Sequence, residues 1–198
     1  MKKKFLFSLG SISALASMPL MAVACKSEVK EVSLKATLLR NDETKAGTKA
    51  SHESDSNLIK YESFDVDMSS FAFVLVKPDF KTADLIAPKK DGQAHSIFFT
   101  DYQGANTFHG KKEENQKLWE GVLIARVENL PAGYTLANEN NPTYRGKDKK
   151  YTNNSGFINV TLKDGTYTFN FRLFRKFSKE DQTQPAVSTQ VYTVSYKT

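Results

Sequence analysis

The chain has 198 residues and a mass of 22.2 kDa, 39% hydrophobic and 25% charged, which excludes a polytopic membrane protein and a wholly disordered chain and fits one main domain. The formal charge is +6, but Lys2, Lys3 and Lys4 stand in an N-terminal stretch without acids. Removing them from the 28 bases leaves 25 against 22 acids, a net +3, which is a weak electrostatic footprint for nucleic acid. The single cysteine, Cys25, excludes an internal disulfide and a CxxC metal site.

Residues 1–25 read MKKKFLFSLGSISALASMPLMAVAC: three lysines, an uncharged stretch from Phe5 to Ala24, and small residues ahead of the thiol. This is a secretory signal layout. The uncharged stretch approaches the roughly 20 apolar residues that span a bilayer, but Ser8, Gly10, Ser11, Ser13, Ser17 and Pro19 dilute it, so a transmembrane anchor is the second choice. Ala22, Val23 and Ala24 run straight into Cys25, and polar Lys26, Ser27 and Glu28 follow, which resembles a bacterial lipobox. The whole leader is similar to those of mycoplasma surface lipoproteins. The resemblance implies a signal peptide over 1–24, a diacylglyceryl group on the Cys25 thiol and a lipidated tether over 25–31. Two acyl chains hold a protein stably at a membrane where one holds it marginally. Either anchor leaves the basic start cytoplasmic and residues 26–198 outside, at the extracellular face of the cell membrane.

From Val32 the apolar positions alternate through Leu34, Ala36 and Leu38, the period of a half-buried strand. Residues 41–57, NDETKAGTKASHESDSN, hold nothing more apolar than alanine and are predicted as a mobile loop. Ile59, Tyr61, Phe64, Val66 and Met68 read as one strand and SFAFVLV from Ser70 as another, the latter covered on both faces or bulged. HSIFFTDY from His95 favours a strand, KKEENQKLW from Lys111 a short helical turn, and GVLIARVENLP from Gly121 a strand stopped by Pro131. Residues 137–156, rich in Asn, Lys and Gly, are the longest predicted loop. Ile158, Val160 and Leu162 alternate before Asp164-Gly165, then Tyr167, Phe169, Phe171 and Leu173 alternate after it. A last strand runs from Val187 to Tyr196.

This pattern predicts an all-β ectodomain over 32–198, an antiparallel β-sandwich of about seven to nine strands. A chain of this length buries about 70% of its unfolded surface and needs no disulfide. The stretch INVTLKDGTYTFNF resembles the strand E to strand F passage of immunoglobulin-like domains, which implies a tyrosine corner at Tyr167. A plain two-residue hairpin at Asp164-Gly165 fits the same alternation. Trp119 ahead of a strand and the missing cysteine pair depart from the antibody pattern.

No catalytic residue, metal site or cofactor is predicted. His52, His95 and His109 are scattered, without HExxH spacing. GANTFHGK from Gly104 has one residue too many between its glycines for a P-loop and reads as a turn. Asp65 and Asp67 open like a calcium loop, but Ser70 and Val76 stand where glycine and glutamate are needed. They are expected on the solvent side of a strand whose Phe64, Val66 and Met68 face inward.

One basic and aromatic run stands out: FRLFRKF, with Arg172, Phe174, Arg175 and Lys176, near the loop bases Arg145, Lys147, Lys149 and Lys150. Convergence of these groups would bind a polyanion such as a sulfated glycan. The alternative is a strand whose long basic side chains cover apolar surface and keep their heads wet. The sequence thus predicts a non-catalytic, lipid-anchored cell-surface protein that binds or presents to host molecules, glycan or protein, as an adhesin or surface antigen does. No specific nucleic acid partner is expected. An accessory lipoprotein scaffolding a membrane complex stands second, and an externally located hydrolase third. Loops 41–57, 102–117 and 137–156 are the expected contact regions.

Overall fold

The computed structural model of the chain describes residues 30–50, 59–145, 151–153 and 156–198. The leader and Cys25 lie outside the described residues, as do His52, Lys147, Lys149 and Lys150. The described strands are β1 (Val32–Leu34), β2 (Thr37–Asn41), β3 (Lys60–Glu62), β4 (Ala72–Leu75), β5 (His95–Thr100), β6 (Thr107–His109) and β7 (Leu123–Glu128). They continue with β8 (Tyr134–Asn138), β9 (Thr143–Arg145), β10 (Tyr151–Asn153), β11 (Phe157–Lys163), β12 (Thr166–Arg175), β13 (Ala186–Ser188) and β14 (Gln190–Lys197). Helix is limited, among the described residues, to four single 3-10 turns, and no described helix is long and apolar enough to cross a membrane.

The all-β class follows from the sequence pattern. Twelve strands share one hydrogen-bonded sheet, while β9 and β10 form a separate antiparallel pair. The main ladder runs β1-β4-β7-β6-β5-β11-β12, and β12 passes it on to β14 and then β2. The ends of this ladder, β1 and β2, are halves of one segment separated only by Lys35 and Ala36, so the sheet rolls around its own apolar face. A rolled sheet needs no second layer to cover that face.

Alternation fills the interior. Tyr167, Phe169, Phe171 and Leu173 from β12 meet Phe73 and Phe108 from facing strands. The Phe73 ring lies 4.9 Å from both Phe108 and Phe169, within the range where tilted rings attract beyond their buried area. The dense SFAFVLV run is covered on both faces as predicted: Phe73, Val74 and Leu75 are all buried.

Several expectations are corrected. The strand expected through Phe64, Val66 and Met68 ends at Glu62. The burial still alternates there, with Asp65 and Asp67 outward, but no strand among the described residues pairs with this backbone. The Gln190 carboxamide stands in for one, accepting from the Phe64 N–H at 3.1 Å and donating to its carbonyl at 2.8 Å. Part of the predicted mobile loop 41–57 is folded: Glu43–Lys45 makes a 3-10 turn, and Ala50 is buried with its N–H on the Ile59 carbonyl at 2.8 Å. Residues 51–58 lie outside the described residues. The GANTFHGK turn contains β6, paired on both sides, because Phe108 is drawn into the core. The predicted loop 137–156 begins in β8 and contains the β9–β10 pair.

Asp164-Gly165 is a hairpin. Lys163 and Thr166 are paired, and both turn residues have positive φ, 50° and 73°, as a type I′ turn demands. The tyrosine corner is thereby excluded: β11 and β12 are hydrogen-bonded neighbours, and the Tyr167 hydroxyl meets the Thr82 hydroxyl at 3.1 Å instead of a backbone group.

Candidate functional site

The basic run does not present four groups to one ligand. Arg172 is fully buried and Phe174 is 5% exposed. The Arg172 guanidinium donates to the carbonyls of Glu139, Ser188 and Thr189 at 2.7–2.9 Å and to the Asp42 carboxylate, with the Tyr61 ring 5.2 Å away. Arg175 is paired with Glu62 at 2.8 Å and Lys176 with Asp101 at 2.8 Å. The reading of a polyanion strip over Arg172, Phe174, Arg175 and Lys176 is therefore corrected at Arg172 and Phe174, which are buried in the fold, while Arg175 and Lys176 are partly exposed and each already paired with a carboxylate. The cause is β12 itself. Its first half has one solvent-facing side, but its second half is flanked by β8 and β13 and covered by a second apolar cluster of Ala50, Ile59, Tyr61, Ala137, Phe174 and Val187.

The outer face of β5 presents a different surface. Ile97 and Phe99 point into the core, so Ser96, Phe98 and Thr100 point outward. Cross-strand pairing extends this into rows: Phe157–Phe98–His109 across β11, β5 and β6, flanked by Asn159–Ser96 on one side and Thr100–Thr107 on the other. The Phe98 and Phe157 rings meet edge to face at 5.6 Å and 68°. Around them lie two depressions.

The first depression, of about 860 Å³, is walled by Tyr102, Gln103, Lys117 and Trp119 over a floor that includes Phe98, Thr107 and His109. Tyr102 is 74% exposed and Trp119 52%. Both are placed by their loops. Tyr102 opens a 3-10 turn in which Gln103 takes φ 53° and Gly104 φ 76°, a left-handed path that throws the tyrosine outward. The turn is held at its base by Asp101. Burial alone would raise this carboxyl's pKa, but the hydrogen bonds it accepts, that of the Lys176 ammonium first, together with the Lys176 charge outweigh it and leave the carboxyl below the usual range. Trp119 sits in the turn Leu118–Glu120, where the Glu120 carboxylate accepts from the Lys117 N–H at 2.7 Å. The Lys117 ammonium lies 5.2 Å from the indole centroid. His109 is fixed at both nitrogens. The Gly121 carbonyl, 3.1 Å from Nδ1, can only accept, so Nδ1 donates to it, and Nε2 lies 3.0 Å from the Thr107 hydroxyl.

The second depression, of about 540 Å³, continues beyond Phe157 and is lined by Lys89, Gln93, Ser96, Asn140 and Asn159 among others. The Asn138 carboxamide shapes its wall, accepting from the N–H groups of Asn140 and Asn141 at 2.9 Å each while its amide donates to the Phe157 carbonyl. The lining residues of the two depressions include no carboxylate. The arrangement offers ring faces, amides, hydroxyls and two ammonium groups, which suits binding.

Sequence reasoning pointed to loop 102–117 as a contact region, which holds Tyr102, Gln103 and Lys117. It did not single out Phe98, Phe157 or Trp119 for binding. Phe98 and Phe157 are separated by 59 positions and meet only through the β5–β11 register; Trp119 signalled itself only by being the sole tryptophan.

A family model described as Mycoplasma P30 protein matches residues 44–197. No curated protein and no solved structure matches the chain. The match spans most of the chain and nearly all of the rolled sheet, so this chain belongs to the Mycoplasma P30 protein family, a family of mycoplasma surface proteins.

Proposed function

We propose that the protein is a lipid-anchored, non-catalytic surface protein of adhesin type, which binds host molecules at the two depressions along β5. The observation that carries this reading is the placement of Tyr102 and Trp119, two of the exposed large hydrophobic residues, around the first depression, with a third, Phe157, lining the second. Exposed apolar surface gathered into a concavity marks contact sites, whereas single exposed rings are ordinary. The lipobox leader supports anchoring through Cys25 and an extracellular placement of the sheet. Family membership supports the surface setting.

Attachment of mycoplasma cells to a host monolayer tests the binding. Cells carrying Trp119→Ala with Tyr102→Ala, at wild-type surface level, should attach several-fold less well; unchanged attachment would remove this reading. If attachment is unchanged and a co-purifying membrane partner is lost instead, the protein is an accessory scaffold. Palmitate labelling tests the anchor: Cys25→Ser should abolish it, and equal labelling would reject lipidation.

A further inference from the structure

The two depressions on either side of Phe157 and Phe98 share one floor, the outward face of β5. Ser96 lines one, while Phe98 and Thr100 line the other, all three on the same face. At about 3.3 Å per residue these three positions alone run for about 13 Å, and the loops at both ends lengthen the path. Each depression has the size of a small-molecule cleft, which typically runs from roughly 300 to 1,000 Å³. Following one another along the same strand face across the Phe98–Phe157 contact, they offer a path longer than one small ring, here called the trough.

We propose that this trough binds a linear, lightly charged acidic oligosaccharide. The inference rests on the host-binding reading and names its ligand class. Four observations carry it. First, Trp119 and Tyr102 offer exposed ring faces against which the C–H face of a pyranose can lie flat, and Phe157 does the same beside the second depression. Second, the groups between them are neutral donors and acceptors: the hydroxyls of Thr100 and Thr107 and the carboxamides of Gln103, Gln93 and Asn159. An amide that donates and accepts side by side matches vicinal sugar hydroxyls, which do the same.

Third, the charge is small and of one sign. Lys89 and Lys117 stand in different depressions, and neither forms an ion pair with a described carboxylate. A chain with spaced single carboxylates is complementary to spaced single ammonium groups. A densely sulfated chain would need a basic cluster, but the lining of each depression holds a single lysine. Fourth, Gln103 holds a left-handed φ of 53° at the rim. Non-glycine residues persist in that region at a cost of order 1–3 kcal/mol and cluster at ligand-binding sites.

The test titrates purified full-length protein in detergent with a hyaluronan tetrasaccharide and with the neutral chitotetraose. The acidic sugar should bind saturably, and the neutral one about 10-fold more weakly. Trp119→Ala should weaken acidic binding about 10-fold and Trp119→Phe should restore much of it, since the ring face returns. Lys117→Gln should abolish the preference for the acidic sugar. Asn159→Ala and Lys89→Gln, in the other depression, should each weaken binding several-fold. Circular dichroism of every variant should match wild type.

Failure of both sugars to bind at millimolar concentration would overturn the proposal. So would binding indifferent to Trp119, or binding that depends on Trp119 alone and ignores Asn159 and Lys89. Binding of phosphatidylglycerol vesicles that requires Trp119, with no sugar bound, would assign the trough to a bilayer and likewise overturn it. If both sugars fail while Trp119→Ala with Tyr102→Ala still lowers cell attachment, the host-binding reading stands and only the ligand class falls.

Discussion

The guanidinium of Arg172 closes on the carboxylate of Asp42, 130 positions earlier in the chain. The same guanidinium caps three carbonyls, at the end of β8 and at the break between β13 and β14. Arg40 completes the network, bonding Asp42 at 3.0 Å and Glu139 at 2.7 Å. Removing one member of a buried charge pair strands the other and costs about 3–5 kcal/mol. Arg172→Ala should therefore lower the denaturant midpoint sharply or prevent folding. Arg172→Lys should recover only a fraction, because a single ammonium cannot serve groups on opposite sides of a planar fork. A midpoint within experimental error of wild type in Arg172→Ala would contradict this role.

That residue also marks the limit of the sequence as a guide. Period-two alternation identified the inward side of β12 at Tyr167, Phe169, Phe171 and Leu173, and the turn chemistry of Asp164-Gly165 allowed the hairpin that forms. Alternation assigns Arg172 to water, and it fails because β12 leaves a one-sided environment for one covered on both faces. Which strands flank a given residue is a property of topology, set by contacts distant in sequence, and local pattern carries no record of it. The trough was legible in part for the same reason: loop 102–117 shows its polarity locally, but the Phe98–Phe157 contact exists only through register.

Acid should destabilise the protein through two aspartates. Burial alone would raise the Asp42 pKa, but hydrogen bonds and charge from Arg172 and Arg40 outweigh it and lower the value. Asp101 is lowered in the same way by Lys176. A carboxyl with a depressed native pKa adds stability that is fully present above its unfolded pKa of about 3.9 and is lost as pH falls through the native value. Denaturant midpoints should hold from pH 7 to about 5 and fall below about 4. Asp42→Asn should flatten that fall while lowering stability at neutral pH. A midpoint that stays constant down to pH 2.5 would rule out both contributions.

Gly110 ends β6 where the chain passes against Asp84. A Cβ there would lie 2.0 Å from the Asp84 carbonyl oxygen, which itself accepts from the Lys111 N–H at 2.6 Å. Backbone cannot give way as a flexible side chain can. Gly110→Ala should cost about 1–3 kcal/mol or more as an overpacked site and displace the neighbouring His109 from the trough floor. The comparison is Gly92→Ala, which has open space around its Cβ and a positive φ of 79°; its penalty, of order 1 kcal/mol, should be smaller. Equal unfolding midpoints for the two variants would remove steric contact as the reason for glycine at 110.

Gln103 separates binding from stability. Its φ of 53° is unfavourable for any residue with a Cβ, by roughly 1–2 kcal/mol, and glycine adopts it freely. Gln103→Gly relieves that strain, while the greater freedom of the unfolded chain offsets part of the gain. The variant should therefore keep its melting temperature or gain slightly, by up to about 1 kcal/mol. It also removes the carboxamide from the rim between Tyr102 and the groove floor, so attachment to the ligand should weaken. Gln103→Val keeps a Cβ and adds a branch, and should lose stability and binding together. A Gln103→Gly protein that binds as wild type does would show that the strained residue shapes the turn without touching what it holds.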